Sequence, residues 1–189
     1  MSGILTTIVG PMFSGKTTEL LRLMDRELIA KRSSILFKPN IDNRYSKEEV
    51  VNHNGIGRKA LIACCSKDIL NKVLELEKTE NIENIFIDEV QFFDSGITDV
   101  IKKINDLGID IYTCGLNQTF KGEPFPFKDG EKDIGYLMAI SDYVISIDAV
   151  CNECGNKATK TYRKGKEEET VIVGGQDLYQ ARCKNCWNK

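Results

Sequence analysis

The chain has 189 residues, 41% of them apolar, and a formal net charge of −2. This size and composition predict a globular protein of one or two domains. The charge is nearly balanced, without a basic block or an acidic tail, which argues against a nucleic-acid partner and favours a small ligand. No apolar run approaches the ~20 residues of a membrane span, and the first thirty residues lack the pattern of a signal peptide. We therefore expect a cytoplasmic protein with no membrane partner.

The first 150 residues alternate between predicted strands and predicted helices. Short apolar runs predict strands at residues 4–9, 35–37, 85–87, 109–114 and 143–147. Helical spacing of apolar residues predicts helices that contain residues 20–29, 69–76, 100–107 and 134–140. This alternation predicts an α/β fold with a parallel sheet covered on both faces and ligands at the carboxyl ends of the strands. The polar stretch 38–59 is predicted to be a loop with short strands.

A phosphate-binding loop is predicted between the first strand and the first helix. Residues 10–17, GPMFSGKT, fit the pattern G-x-x-x-x-G-K-[ST] in the required context of strand, loop and helix. Glycines let backbone N–H groups close around phosphate oxygens, Lys16 reaches the β- and γ-phosphates, and the Thr17 hydroxyl binds Mg²⁺. Met12 and Phe13 are apolar where such loops usually carry small or polar residues, which favours contact with a second ligand. The predicted ATP-binding residues of this segment are Gly10, Pro11, Met12, Phe13, Ser14, Gly15, Lys16, Thr17 and Thr18.

Two adjacent carboxylates follow a predicted strand in NIFIDEVQFF, residues 84–93. P-loop proteins present an acidic residue at a strand end to the metal beside the phosphates, so Asp88 is predicted to lie on the Mg²⁺ side. Glu89 is placed to turn toward the γ-phosphate and act on the nucleophile. A solvated strand end is the simpler alternative for both residues. His53 is the only histidine, and its position in the polar loop argues against a histidine base.

Seven cysteines occur in a chain that otherwise has intracellular character, where thiols stay reduced and paired cysteines more often hold metal. Two C-x-x-C pairs predict a structural zinc site, with redox or disulfide chemistry as the alternative and iron as a less expected metal. The gap of 28 residues between the pairs exceeds the roughly 15–20 of an ordinary zinc ribbon. The predicted zinc ligands are Cys151, Cys154, Cys183 and Cys186. We expect Cys64, Cys65 and Cys114 to be small core residues.

A change of sequence character near Val150 predicts a domain boundary there. Residues 1–150 would form the P-loop α/β domain, and residues 151–189 a smaller metal-binding domain. Within the second domain, KGKEEE is predicted to be a solvated loop tip. The following stretch TVIVGGQDLY, residues 170–179, is predicted either to fold over the mouth of the phosphate site or to form an ordinary hairpin strand.

Taken together, GPMFSGKT, DEVQFF, GLNQTFKGEPF, the C-x-x-C pairs and VGGQDLYQARCKNC resemble the type II, or cytosolic-type, thymidine kinase family. The resemblance runs over residues 4–186, with the motifs in the family's order. It implies a RecA-like P-loop domain and a small C-terminal lasso domain anchored by Zn²⁺. It further implies transfer of the γ-phosphate of ATP, with Mg²⁺, to the 5′-hydroxyl of thymidine. Assembly as a homotetramer and feedback inhibition by dTTP are also implied.

The resemblance assigns roles residue by residue. It implies that Lys16 and Thr17 serve the phosphates and Mg²⁺, that Asp88 lies on the metal side and that Glu89 is the general base. Asp42 and Arg44 match an Asp-x-Arg pair near the phosphates, so Arg44 is an expected ATP-binding residue. Asn117 departs from the family, which usually has aspartate there. The nucleoside-binding residues implied are Met12, Phe92, Leu116, Phe120, Phe125, Thr161, Val171, Ile172, Val173, Gly174 and Tyr179.

Two other classes of protein fit parts of the sequence. A zinc-ribbon P-loop ATPase that binds nucleic acid also combines a DE strand end with C-x-x-C pairs, and it predicts a basic ribbon face. Here three consecutive glutamates follow the lysine and arginine side chains within residues 157–166 and offset much of their positive charge. A noncatalytic sensor of nucleotide and metal is the second alternative.

Overall fold

The computed structural model describes residues 1–40, 49–51, 57–165, 175 and 177–188. Its first eight strands are β1 (Leu5–Gly10), β2 (Ser34–Pro39), β3 (Glu49–Val51), β4 (Gly57–Lys59), β5 (Leu61–Ala63), β6 (Asn84–Ile87), β7 (Asp110–Leu116) and β8 (Tyr143–Ser146). The helices are α1 (Lys16–Ile29), α2 (Ser66–Leu76), α3 (Ile97–Asp106), α4 (Ile134–Ile140) and α5 (Lys184–Trp187), and a 3₁₀ helix spans Val90–Phe92. None of the described helices is long and apolar enough to cross a membrane.

Six strands form the central sheet in the order β5-β2-β6-β7-β1-β8, and every pairing within it is parallel. β1 and β6 are buried along their whole length, as expected of inner strands covered on both faces. β3 and β4 form a separate antiparallel pair. Since parallel strands end at one edge of the sheet, β1, β6 and β7 deliver the residues that follow them to the same place.

Two apolar layers hold this sheet between helices. Ile8 packs in the layer that contains α1, whereas its neighbour Val9 packs in the layer that contains α2, α3 and α4. This division follows from the alternation of side chains along a strand. In the first layer Leu20 of α1 belongs to one apolar cluster with Leu36 and other strand residues. The predicted α/β architecture, with a parallel sheet covered on both faces, is confirmed.

The strands and helices predicted within residues 4–37 and 69–147 all occur, with end points that differ by a few residues. Parts of the predicted loop 38–59, and most of the KGKEEE and TVIVGGQDLY stretches, lie outside the described residues. The helix expected to contain residues 100–107 begins at Ile97 and ends at Asp106, and Leu107 follows it as the cap. β5 was not predicted. The prediction that Cys64 is a core residue is wrong: its side chain is exposed, that of Cys65 is half-buried, and only Cys114 is buried.

A C-terminal cysteine module is built from four short strands and α5. β9 (Ala149–Val150) pairs with β10 (Lys157–Ala158), and β11 (Lys160–Arg163) pairs with β12 (Tyr179–Arg182). Its small core consists of Ala149, Cys151, Ala158 and Ala181. The domain boundary near Val150 stays a prediction, and β9 ends at that residue.

Candidate active site

The loop between β1 and α1 has the tight backbone that its glycines predict. A Cβ atom at Gly10 would lie 2.3 Å from the Ile147 carbonyl oxygen, and Gly15 has φ 85°. Both positions therefore require glycine. The buried Lys16 donates a hydrogen bond from Nζ to the Pro11 carbonyl oxygen at 2.8 Å, and the Ser14 hydroxyl donates to the same oxygen at 2.9 Å. Thr17 and Thr18 follow in the first turn of α1.

Asp88 immediately follows β6 and meets the start of α1. The Thr17 hydroxyl donates to Asp88 Oδ1 at 3.1 Å, and the Glu89 backbone N–H donates to the same oxygen at 3.1 Å. The buried Cys114 thiol of β7 is a third donor to Oδ1, at 2.8 Å. A hydroxyl and a carboxylate side by side are the oxygen ligands that Mg²⁺ prefers. Cys114 was predicted only as a core residue, since nothing in the sequence joins it to Asp88.

The buried Asp88 carboxyl makes the stability of the fold depend on pH. Burial, together with the negative charge of Glu89, raises its pKa from 3.8 to about 6. A raised carboxyl pKa stabilises the folded state below about pH 4, and this contribution is lost as the pH rises through about 6. In buffer without Mg²⁺, Asp88→Asn is therefore expected to raise the free energy of unfolding by on the order of 2 kcal/mol at about pH 7.5 and to change it little at about pH 4. Urea unfolding at the two pH values would measure the free energy of unfolding of the variant and of the unaltered protein. An equal effect of the substitution at the two pH values would contradict the prediction.

Glu89 sits in an unusual backbone conformation beside Asp88. Its φ is 49°, in the left-handed region that costs energy for a residue with a side chain and is often found at functional sites. Its carboxylate accepts a hydrogen bond from Gln91 Nε2 at 2.5 Å, and Gln91 Oε1 accepts one from the Leu116 backbone N–H at 3.2 Å. The fully buried Gln91 thus links the glutamate to the end of β7.

Gln91 is a site residue that sequence reasoning missed. The only sequence signal is a polar side chain within the apolar stretch VQFF, which holds for many surface residues too. The fold adds a second constraint, because a Cβ atom at Gly115 would lie 2.3 Å from Gln91 Oε1. The glycine at the end of β7 therefore provides the space in which the amide of Gln91 reaches Glu89.

Several residues implied for the nucleoside lie near the same edge of the sheet. Phe92 and Phe125 pack edge to face, with ring centres 5.8 Å apart, and both contact the main apolar layer. Leu116 ends β7 and also packs on that layer. Asn117, which follows it, has a buried side-chain oxygen with no hydrogen-bond partner among the described residues.

The remaining residues implied for the nucleoside come from the cysteine module and the loop that meets it. The Met12 backbone N–H donates to the Thr161 hydroxyl at 3.0 Å, so β11 touches the phosphate-binding loop. The Arg163 guanidinium lies 3.8 Å from the centre of the Phe120 ring. Tyr179 lies opposite Arg163 in the pairing of β11 and β12. Asp42, Arg44, His53, Val171, Ile172, Val173 and Gly174 lie outside the described residues.

Phe13 makes a contact that the sequence did not predict. Its φ is 65°, and its side chain packs against the core of the cysteine module. The phosphate-binding loop is therefore attached to the cysteine module by Phe13 and by the bond from Met12 to Thr161. The expectation of a second ligand is kept for Met12 alone.

The four cysteines of the module are placed to hold one metal ion. Their sulfur atoms all lie within 4.8 Å of one another, and Cys154 Sγ is 3.7 Å from Cys183 Sγ. Zn–S bonds of about 2.3 Å in a tetrahedron separate sulfur atoms by ~3.8 Å, so the arrangement fits Zn²⁺. Backbone hydrogen bonds, the largest from Cys183, lower the pKa of Cys151 to about 6, whereas side-chain hydrogen bonds, the largest from Cys183, raise the pKa of Cys186 to about 12, so the support for a metal site comes from the sulfur distances.

Comparison with known proteins agrees with this arrangement of motifs. A family model described as "Thymidine kinase" matches residues 3–187. A thymidine kinase from Thermococcus kodakarensis is 40% identical over 188 residues, which cover 96% of this chain and 92% of that protein. Matches of this extent include the phosphate-binding loop, the paired carboxylates and the four cysteines. The chain therefore belongs to the thymidine kinase family.

Proposed function

We propose that this protein transfers the γ-phosphate of ATP to the 5′-hydroxyl of thymidine, giving thymidine monophosphate and ADP. The observation that carries the proposal is the contact between the start of α1 and the Asp88–Glu89 pair, in a member of the thymidine kinase family. This contact joins the Thr17 hydroxyl, next to Lys16, to the Asp88 carboxylate, next to Glu89, and these are the chemical groups that phosphoryl transfer requires.

Residues 10–18 form the proposed ATP-phosphate site, with Arg44 as an additional contact. Their backbone N–H groups and the Lys16 ammonium would stabilise negative charge on the transferred group. Thr17 and Asp88 would hold the Mg²⁺ that accompanies ATP, and this ion supplies further charge neutralisation when bound. The hydrogen bond between their side chains supports the assignment, because both offer oxygen atoms at one point.

Glu89 is the proposed general base that takes the proton of the 5′-hydroxyl. Its neighbour Asp88 is already occupied by hydrogen bonds from Thr17 and Cys114, and it is proposed to hold Mg²⁺. Glu89 is half-buried, and its described side-chain bond is the one from Gln91. Gln91 would therefore orient the base without competing for the proton, since an amide N–H only donates.

Gln91→Leu is expected to lower kcat about tenfold while KM for ATP changes little. The variant keeps a buried side chain of similar size but frees the Glu89 carboxylate and leaves the Leu116 N–H without its acceptor, which typically costs about 1–3 kcal/mol. Steady-state kinetics with thermal unfolding would separate loss of orientation from loss of fold. An unchanged kcat would remove Gln91 from the site.

The nucleoside site is proposed to lie between the end of β7 and the cysteine module. Met12, Leu116, Phe92, Phe120 and Phe125 would supply apolar contacts to thymidine. Thr161 and Tyr179 would border it from the module, and the backbone of residues 171–174 would read the edge of the base. Specificity for thymine would come from buried polar groups that a mismatched base leaves unpaired.

The metal, the domain division, the assembly and the regulation that the family resemblance implies belong to the same proposal. We propose a structural Zn²⁺ at the four cysteines, a division into domains of residues 1–150 and 151–189, assembly as a homotetramer and feedback inhibition by dTTP. A cytoplasmic location and the absence of a nucleic-acid partner stay predictions from composition. The zinc proposal is supported by the sulfur distances.

The test is ADP release by the purified protein with Mg·ATP and thymidine, deoxycytidine, uridine or no nucleoside, with the product identified by mass. Thymidine-dependent ADP release with thymidine monophosphate as product is the expected result. A rate of ATP hydrolysis that does not change when nucleoside is added would favour the ATPase that binds nucleic acid. Titration with single-stranded DNA would then test that alternative. Absence of turnover under all conditions would favour a nucleotide sensor.

A further inference from the structure

Trp187 is the only tryptophan in the chain and directly follows the last cysteine of the metal site. Its backbone N–H donates to the Cys183 carbonyl oxygen at 2.9 Å, and the Arg182 guanidinium donates to the Cys186 carbonyl oxygen at 3.2 Å. The backbone that carries the indole is therefore part of the turn formed by the second C-x-x-C pair. Any ligand held by Cys183 and Cys186 fixes the position of this turn.

The indole of Trp187 reaches out of the module toward the loop that follows β7. Its Nε1–H lies 3.2 Å from both the Phe120 and the Thr161 carbonyl oxygens, so a single donor is shared by two segments. A Cβ atom at Gly122, which has φ 82°, would lie 3.1 Å from the indole ring. The Lys160 ammonium lies 5.3 Å from the ring centre. The half-buried ring is thus packed between β11 and the loop.

Residues 117–122, here named the Phe120 loop, are held both by backbone hydrogen bonds of their own hairpin, among them one from the Thr119 N–H to the Glu123 carbonyl oxygen at 2.8 Å, and by contacts with the cysteine module. Within the loop, the Gly122 N–H donates to the Thr119 carbonyl oxygen at 3.0 Å. Toward the module, Gln118 Nε2 donates to the Thr159 carbonyl oxygen at 2.8 Å, and Lys160 Nζ donates to Gln118 Oε1 at 2.6 Å. Thr161, in contrast, belongs to β11, all four residues of which pair with β12. Loss of the indole N–H would therefore affect the Phe120 loop more than β11.

We infer that Trp187 is a positioning residue that couples the four-cysteine metal site to the Phe120 loop. The inference rests on the proposed function, because Phe120 is assigned there to the nucleoside pocket. A metal ion at the cysteines orders the turn, the turn holds the indole, and the indole holds the Phe120 carbonyl. The indole N–H also reaches the Thr161 carbonyl oxygen, and Thr161 and Phe13 join the module to the phosphate-binding loop, so removal of the metal would disturb that loop as well. Loss of the indole N–H alone leaves the contacts of Phe13 and Met12 with the module in place, so it should weaken thymidine binding more than ATP binding or phosphoryl transfer.

Tryptophan emission reads this coupling directly, since the chain has one tryptophan. Removal of the metal with a chelator from the unaltered protein is expected to shift the emission to longer wavelength, because the indole loses its packing and becomes hydrated. Calorimetric affinity for thymidine should fall in parallel, and added Zn²⁺ should restore both signals. Affinity for thymidine that survives complete removal of the metal would overturn the inference.

Trp187→Phe isolates the role of the indole N–H. Phenylalanine keeps an aromatic ring beside Gly122 but cannot donate to the Phe120 carbonyl, and one such hydrogen bond corresponds to about a three- to tenfold change in affinity. We expect unchanged metal content, a KM for thymidine raised by about that factor, and little change in kcat or in KM for ATP. Tyr162→Phe is the matched control, because it changes an aromatic residue of the same module that lies under Arg182 instead.

Two results with Trp187→Phe would overturn the inference. One is an unchanged KM for thymidine with the metal retained. The other is loss of the metal, because Trp187 would then support the metal site and not the loop. Failure of the proposed function is recognised separately, since the unaltered protein would then show no thymidine-dependent turnover. The emission response to metal removal needs no nucleoside, and its absence would overturn the inference even in that case.

Discussion

Glu89→Gln is expected to lower kcat for thymidine phosphorylation by about 10²–10⁴ while the fold and ATP binding remain, because general base catalysis typically contributes this factor. Glutamine has the size of glutamate, and its Oε1 still accepts a hydrogen bond from Gln91 Nε2. It cannot take the proton of the 5′-hydroxyl. The left-handed backbone at Glu89 is unaffected by the change, since both residues have the same backbone preferences. Timed assays of thymidine monophosphate formation would measure kcat, and calorimetric titration with ATP would measure the affinity for ATP.

Glu75→Gln serves as the matched control for this variant. Glu75 lies on α2, and its exposed carboxylate pairs with Lys72. Its replacement is expected to leave kcat unchanged, because exposed ion pairs contribute little to stability and this one lies outside the site. Turnover by Glu89→Gln equal to that of the control would show that another group takes the proton, and it would remove Glu89 from its proposed role.

Lys16→Met is expected to lower kcat by about 10²–10³ and to raise KM for ATP. The ammonium is the side-chain cation of the phosphate-binding loop, and loss of one preorganised group that stabilises charge in the transition state typically costs a factor of this size. Methionine has a similar length and suits the buried position. The Pro11 carbonyl oxygen keeps the hydrogen bond from the Ser14 hydroxyl, so the loop should retain its shape.

Lys103→Met is the corresponding control, because it removes an exposed lysine of α3 that lies on the outer side of a helix. Far-UV circular dichroism and thermal unfolding would confirm that both variants fold. A kcat for Lys16→Met within about threefold of the control would be incompatible with phosphoryl transfer at this loop, given the expected factor.

Much of the fold and of the phosphate side of the site followed from local patterns. Each of the informative motifs occupies a short stretch of the sequence: the strand, loop and helix around residues 10–17, the carboxylates after β6 and the two C-x-x-C pairs. Hydrophobic periodicity gave the order of strands and helices, because burial on two faces imposes it locally. These features suffice to predict a parallel α/β fold, a nucleotide site at the strand ends and a four-sulfur metal site.

The contacts between distant segments were decided only by the tertiary structure. Phe13 meets the cysteine module, Gln91 spans from Glu89 to β7, Cys114 donates to Asp88, and Trp187 joins the metal site to the Phe120 loop. The sequence around each of these residues does not show which distant segment the residue contacts. By itself, then, the sequence determined which elements form and which chemical groups are available. Which of these groups contact one another depends on the strand order of the sheet and on the position of the cysteine module. Both result from many weak long-range contacts, which no short sequence pattern encodes.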